Sequence, residues 1–245
     1  DNYQDKKGDL IMKKVLIAAS VLGLFVSATS ASALTFDVFD ASATGDINNW
    51  KGAGNVLTLI EDFESVPTGA TSFLSTAIGD FDNLGANPGS GATALPGTQF
   101  SVETTGTSWG RTNTTPGGTN WLDSRDISLI NLTSIQTGLE NLFFYISDVS
   151  DVSAVTTVEG NQDTYVWDTK LTNAEVFFVG ITLDTANGET LSALSFSVNT
   201  SNDGFGLDDF GTSTAAVPEP ATMLLFGTGI IGLAGVARRK RNTAK

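Results

Sequence analysis

Hydrophobic positions fall into three textures along the chain. Residues 15–26 form one apolar stretch and residues 221–237 another, uncharged throughout. Between them, short runs rich in Val, Ile, Phe and Thr alternate with Gly, Asn, Asp and Pro, and no 3.6-residue period persists over a helix length. This middle texture predicts strands near 34–39, 56–63, 99–103, 127–132, 141–147, 154–158, 164–167, 175–183, 191–198 and 205–210. The runs Leu142–Ile146 and Val176–Val179 are continuously apolar, as central strands covered on both faces would be. Leu191, Leu194, Phe196 and Val198 read as one buried face, and Asn187-Gly188 as a hairpin turn. About ten short strands at this spacing predict an all-β fold, an antiparallel β-sandwich of jelly-roll type; an up-and-down barrel or an Ig-like sandwich is the alternative. From Gly85 to Asn120 the chain is dominated by Gly, Thr, Ser, Asn and Pro, a long loop of the kind that is usually functional or disordered.

The two apolar stretches have different flanks. Met12-Lys13-Lys14 precedes the first, and Ala31-Ser32-Ala33 follows it, giving an A-x-A cleavage site between Ala33 and Leu34. Residues 12–33 therefore read as a secretory signal peptide that engages the Sec translocon, and residues 1–11 as an upstream extension before the natural start. The second stretch is preceded by Pro218-Glu219-Pro220 and followed by Arg238-Arg239-Lys240-Arg241. Prolines resist helix and hold an extended segment outside the bilayer. A helix over 221–237 would be about 25 Å long, enough to span with some thinning. The basic cluster at 238–241 stays in the cytoplasm and leaves the bulk of the chain outside. The chain thus divides into a β-sandwich domain at 34–211, a small-residue stalk at 212–217 and a terminal signal at 218–241.

With both signals set aside, the exported part keeps four cations (Lys51, Arg111, Arg125, Lys170) against 23 carboxylates, a net −19. Nucleic acid and anionic headgroups are poor partners for such a surface, since both need cationic contacts. The chain contains no Cys and no His, which excludes disulfides, thiolate or imidazole zinc sites, and Ser-His-Asp or Cys-His catalysis. Any metal would be a hard cation held by oxygen, and any general acid or base a carboxylate, Lys or Tyr.

The tripartite tail of Pro218, Glu219 and Pro220, the apolar run and Arg238 to Arg241 resembles the PEP-CTERM sorting signal of Gram-negative, exopolysaccharide-producing bacteria. That resemblance implies an exosortase substrate, held in the inner membrane before processing and then passed to the cell surface or matrix, where exopolysaccharide is a partner. Asn202 to Phe210 ends in DGFGLDDF, and Ile60 to Glu64 reads I-E-D-F-E. These resemble the last and first strands of jelly-roll carbohydrate-binding modules, in which an acid from each strand holds structural calcium. By position this implies Glu64 with Asp208 or Asp209. Two or three carboxylates brought together repel unless a divalent ion neutralises them, and the bland alternative is an acidic edge strand. Asp80 to Asn83 and Asp148 to Asp151 lack EF-hand spacing and read as solvated turns.

Glycan sites pair an aromatic platform with planar polar side chains. Trp109, with Arg111 and Asn113, and Trp121, with Asp123, are the candidates. The alternative makes both indoles core lids, with Arg125 paired to Asp123 or Asp126. Trp50 and Trp167 lie nearer strand patterns and read as core. There is no G-x-S-x-G, no Ser-x-x-Lys and no phosphate-cradling loop. A chance pair among 23 acids has no diagnostic weight for glycoside hydrolysis. The sequence therefore points to a non-enzymatic structural or adhesive module, the alternative being a polysaccharide hydrolase or lyase that uses two carboxylates.

Overall fold

A computed structural model of the protein describes residues 34–215, apart from 105–106, 116–117, 153–154 and 162. The leader at 12–33 with Ala33, the residues before it, positions 216–217 of the stalk and the signal at 218–241 lie outside the described residues. In chain order come β1 (Thr35–Asp40), helix α1 (Thr44–Lys51), β2 (Asn55–Glu61), β3 (Gly69–Thr71), β4 (Phe73–Ser75) and β5 (Asp80–Asp82). β6 (Phe100–Glu103), β7 (Thr107–Ser108), β8 (Arg111–Thr112) and β9 (Trp121–Asp123) follow. The remainder is β10 (Leu129–Thr133), β11 (Asn141–Ser147), β12 (Thr156–Gly160), β13 (Asp163–Trp167), β14 (Val176–Thr182), β15 (Leu194–Val198) and β16 (Gly206–Ala215).

One sheet runs β1-β14-β11-β16-β9-β6-β3, with β2 also paired to β16; the other runs β13-β12-β15-β10-β5-β4. All these pairings are antiparallel. From β10 onward the chain crosses repeatedly between the sheets, and neither sheet closes on itself. The fold is an antiparallel β-sandwich, not an up-and-down barrel. Strand alternation fills the space between the sheets: Leu142, Phe144 and Ile146 from β11 meet Leu194, Phe196 and Val198 from β15, all buried. Phe210 on β16 ties both layers together, its ring centroid 5.2 Å from Phe144, 5.5 Å from Phe81 and 6.3 Å from Phe196.

β11 and β14 are apolar on both faces because α1 covers the outer one. Ile47 and Trp50, three residues apart on the helix, lie over Phe143 and Phe178. Trp50 stands edge-on to Phe178 at 5.2 Å. Its indole occupies the space above Gly180, where a Cβ would come within 2.3 Å of the ring. Trp50 is thus half-buried on a helix that its local pattern did not announce, whereas Trp167 on β13 is core as expected.

Three other expectations are corrected. Asn187-Gly188 does not make a hairpin, because β14 and β15 belong to opposite sheets; Asn187 ends a 3₁₀ turn and Gly188 caps it with φ +83°. Residues 212–215, read as stalk, continue β16 and pair in register with Asn55 to Thr58 of β2. Their alternating Thr and Ser side chains suit an edge pairing as well as a linker. The Gly/Thr-rich region, read as loop apart from 99–103, carries the additional strands β7 and β8.

Candidate functional site

β7 and β8 pair only with each other, Ser108 opposite Arg111, leaving Trp109-Gly110 as a two-residue turn. Both central residues have positive φ, +55° and +100°, the requirement of a type I′ turn. Gly110 meets this freely, and a Cβ there would also lie 2.1 Å from Asn173 Oδ1 and 2.3 Å from Asp148 Oδ1. For Trp109 the left-handed backbone costs about 1–2 kcal/mol. The strained turn holds the indole outward, 65% exposed.

Two residues on, Arg111 enters the protein and is 4% exposed. Its Nη1 donates to Asp123 Oδ1 at 2.6 Å and to Thr93 Oγ1 at 3.1 Å, and Nη2 donates to Asp126 Oδ1 at 2.9 Å. Nε stands 3.6 Å from Asp148 Oδ2 without a hydrogen bond. Asp126 also accepts from the Thr93 N–H, so the Gly/Thr-rich segment is held by buried charge as much as by apolar contact. Burial opposes the Arg111 charge, but Asp123, Asp126 and Asp148 outweigh it and hold its proton above the ordinary arginine range. Burial pushes the Asp123 carboxyl up, only partly countered by Arg111 and the Arg125 N–H. Arg125 pairs with Glu103 and stands 3.6 Å from Asp123.

The hairpin and this cluster border a cavity of about 200 Å³ whose lining includes Trp109, Asp148, Asp151, Asn173, Asn202 and Asp203. Burial pushes the Asp148 carboxyl up to about 6, with the Asp151 and Asp123 charges adding to it. Asp203 is pushed up to about 7, first by burial and then by its contact with Asp151. Asp203 Oδ1 accepts from the Gly204 N–H at 3.0 Å, while Oδ2 meets no donor. The Asp151 carboxylate can bond it only if one of the two holds a proton. The Asp148 to Asp151 cluster, read as a solvated turn, therefore contributes two acids to a cavity.

The expected glycan residues separate. Trp109 is at the surface. Trp121 and Asp123 are fully buried, and Arg111 is spent on its carboxylates. Asn113 donates to the Asn120 carbonyl at 2.8 Å. Trp121 is thus a core residue, because β9 lies between β16 and β6 inside the sheet.

The expected calcium ligands end on one loop. Asp208 Oδ2 accepts from the Thr114 N–H at 2.7 Å, and Asp209 accepts from the Thr114 and Thr115 hydroxyls at 2.8 and 2.6 Å. Glu64 Oε1 accepts from the Thr119 and Asn120 N–H groups at 2.6 and 2.7 Å. A bulge at Asp209, φ +52°, turns the two aspartates toward that loop. Burial and the Asp209 charge push Asp208 up to about 7. Among the described residues no three acidic side chains are grouped so as to hold a metal. The meeting of first-strand and last-strand acids was legible, and in the structure loop donors meet their oxygens.

Residues 216–241 carry a PEP-CTERM protein-sorting motif. The protein is an exported exosortase substrate, membrane-anchored before processing. No curated protein matches the chain significantly. The motif gives the destination of the sandwich and assigns no role to the Trp109 cavity. Sequence reasoning placed Trp109 correctly at the surface in one of its two readings. It missed Asp148, Asp151 and Asp203 as cavity residues, because their convergence joins loops more than fifty positions apart.

Proposed function

We propose that this PEP-CTERM protein is a structural or adhesive module of the cell surface or matrix of a Gram-negative bacterium. It holds exopolysaccharide through the Trp109 hairpin and catalyses nothing. The observation that carries the reading is the exposure of Trp109 on a strained two-residue turn beside a polar cavity. An indole face stacks on the apolar face of a sugar ring, and the neighbouring Asn173 and Asn202 suit hydroxyl groups. The sorting motif at residues 216–241 marks an exported protein, which supports a partner outside the cytoplasm. The test is co-sedimentation of the full chain, in a polyoxyethylene detergent, with the producer's own polysaccharide. Trp109→Ala is expected to abolish pull-down, and EDTA to leave it unchanged, since Asp208, Asp209 and Glu64 are met by loop donors. Loss of pull-down in EDTA would reinstate calcium; retention by Trp109→Ala would remove the hairpin from the interaction.

One observation favours the cleavage reading: Asp148 and Asp203 line the same cavity, and burial raises both their pKa values. A raised carboxyl is what a general acid needs. New reducing or unsaturated ends in the polymer, lost in Asp203→Asn, would establish it.

A further inference from the structure

The proposed glycan contact leaves the acidity of the cavity unexplained. Its lining holds four carboxylates, Asp126, Asp148, Asp151 and Asp203, and one cation, Arg111. Arg111 faces Asp123 and Asp126 through its Nη atoms and Asp148 at 3.6 Å through Nε, so its single charge is shared among three carboxylates. Asp203 is 4% exposed, and its Oδ2 meets no donor other than the proton it can share with Asp151. The cavity opens beside the exposed face of Trp109, which attracts cations as well as sugar rings.

We propose that the Trp109 cavity selects polysaccharides whose sugars carry free, protonated amino groups, that is, deacetylated hexosamine units. The ring stacks on Trp109, and its ammonium enters between Asp151 and Asp203, displacing to solvent the proton the two acids share and donating to Asp203 Oδ2. An ammonium brings three donors and is satisfied by one or two carboxylates, whereas calcium needs six to eight oxygens. A lysine side chain shares the ammonium, but it offers no ring to cover the indole and no hydroxyls for Asn173 and Asn202. N-acetylation removes the charge and adds bulk at the same position, so acetylated polymer is disfavoured.

This inference rests on the reading of Trp109 as a glycan platform, and its test separates the two. The full chain in polyoxyethylene detergent is titrated calorimetrically with a glucosamine oligosaccharide, with its fully N-acetylated counterpart and with poly-lysine. The expected result is roughly tenfold or greater preference for the free amine, the value of one charge-assisted hydrogen bond. Asp203→Asn and Asp151→Asn are each expected to bring the two sugar affinities together. Relief of acidic repulsion is expected to keep both variants folded, and thermal melts check this. Equal binding of both oligosaccharides, lost in Trp109→Ala, overturns the amine selectivity and leaves the glycan reading standing. Binding of poly-lysine as tight as the amino sugar overturns it in favour of a polypeptide partner. If no oligosaccharide and no producer polysaccharide binds, both readings fall.

Discussion

Arg111→Met is expected to destabilise the sandwich by about 3–5 kcal/mol, the usual cost of removing one partner from a buried ionic group. Asp123 is fully buried and Asp126 2% exposed, so neither carboxylate can turn to water when the guanidinium is lost. Thr93 also loses its donor, and with it one tie holding the Gly/Thr-rich segment to the sheet. For a domain of this size the melting temperature is expected to fall by roughly 10 °C. Arg111→Lys is expected to recover only part of this, because one ammonium cannot reproduce a fork that bridges Asp123 and Asp126. The double variant Arg111→Met, Asp123→Asn is expected to lose less than the sum of the single losses. A loss under about 1 kcal/mol for Arg111→Met would mean that water reaches the cluster.

Stability is expected to rise as the protein is acidified from pH 8 to pH 5, the reverse of ordinary acid-sensitive behaviour. Three carboxyls have folded-state values above the usual carboxylate range: Asp148 at about 6, Asp203 and Asp208 at about 7, in each case chiefly through burial. Unfolded, these groups titrate near 4. Between about 4 and 7 the folded state therefore holds more protons than the unfolded one, so unfolding free energy declines as pH rises through that window and levels off above it. After screening, the combined effect is of the order of a few kcal/mol, or roughly 5–10 °C in melting temperature. Asp208→Asn is expected to raise the melting temperature at pH 8 and change it little at pH 5. Thermal melts across this range decide the matter, and a maximum at neutral or alkaline pH would contradict the assignment.

How much of this was legible depended on the kind of interaction. The strands β11, β13, β14 and β15 were readable because each carries several apolar residues within five to seven positions. The strands β3, β4 and β5 were not, being three residues long and mostly polar or small. Helix α1 was hidden because only Ile47 and Trp50 mark its inner face. The hairpin was hidden because its turn is Trp-Gly in place of Asn-Gly, with Ser108 and Arg111 flanking it. Trp109 and Trp121 look alike in sequence, each among Gly, Thr and Asn, and only sheet topology sends one to the surface and the other into the core. The Arg111 cluster joins positions 93, 111, 123, 126 and 148, and no local pattern encodes such long-range pairing. Arg125 was read as paired to Asp123 or Asp126; it stands near Asp123, while its closer partner Glu103 was not foreseen.

The Trp109 side chain occupies a backbone conformation that glycine adopts without cost. If the indole is kept for binding, its strain is spent on function rather than on folding. The decisive measurement is therefore Trp109→Gly, followed by a thermal melt and by affinity electrophoresis through gels containing the producer's polysaccharide. The expected result is a melting temperature equal to or above that of the unaltered protein, together with loss of retardation in the gel. A melting temperature several degrees lower with retardation intact would contradict the proposal, making Trp109 a lid on the fold and not the contact with the matrix.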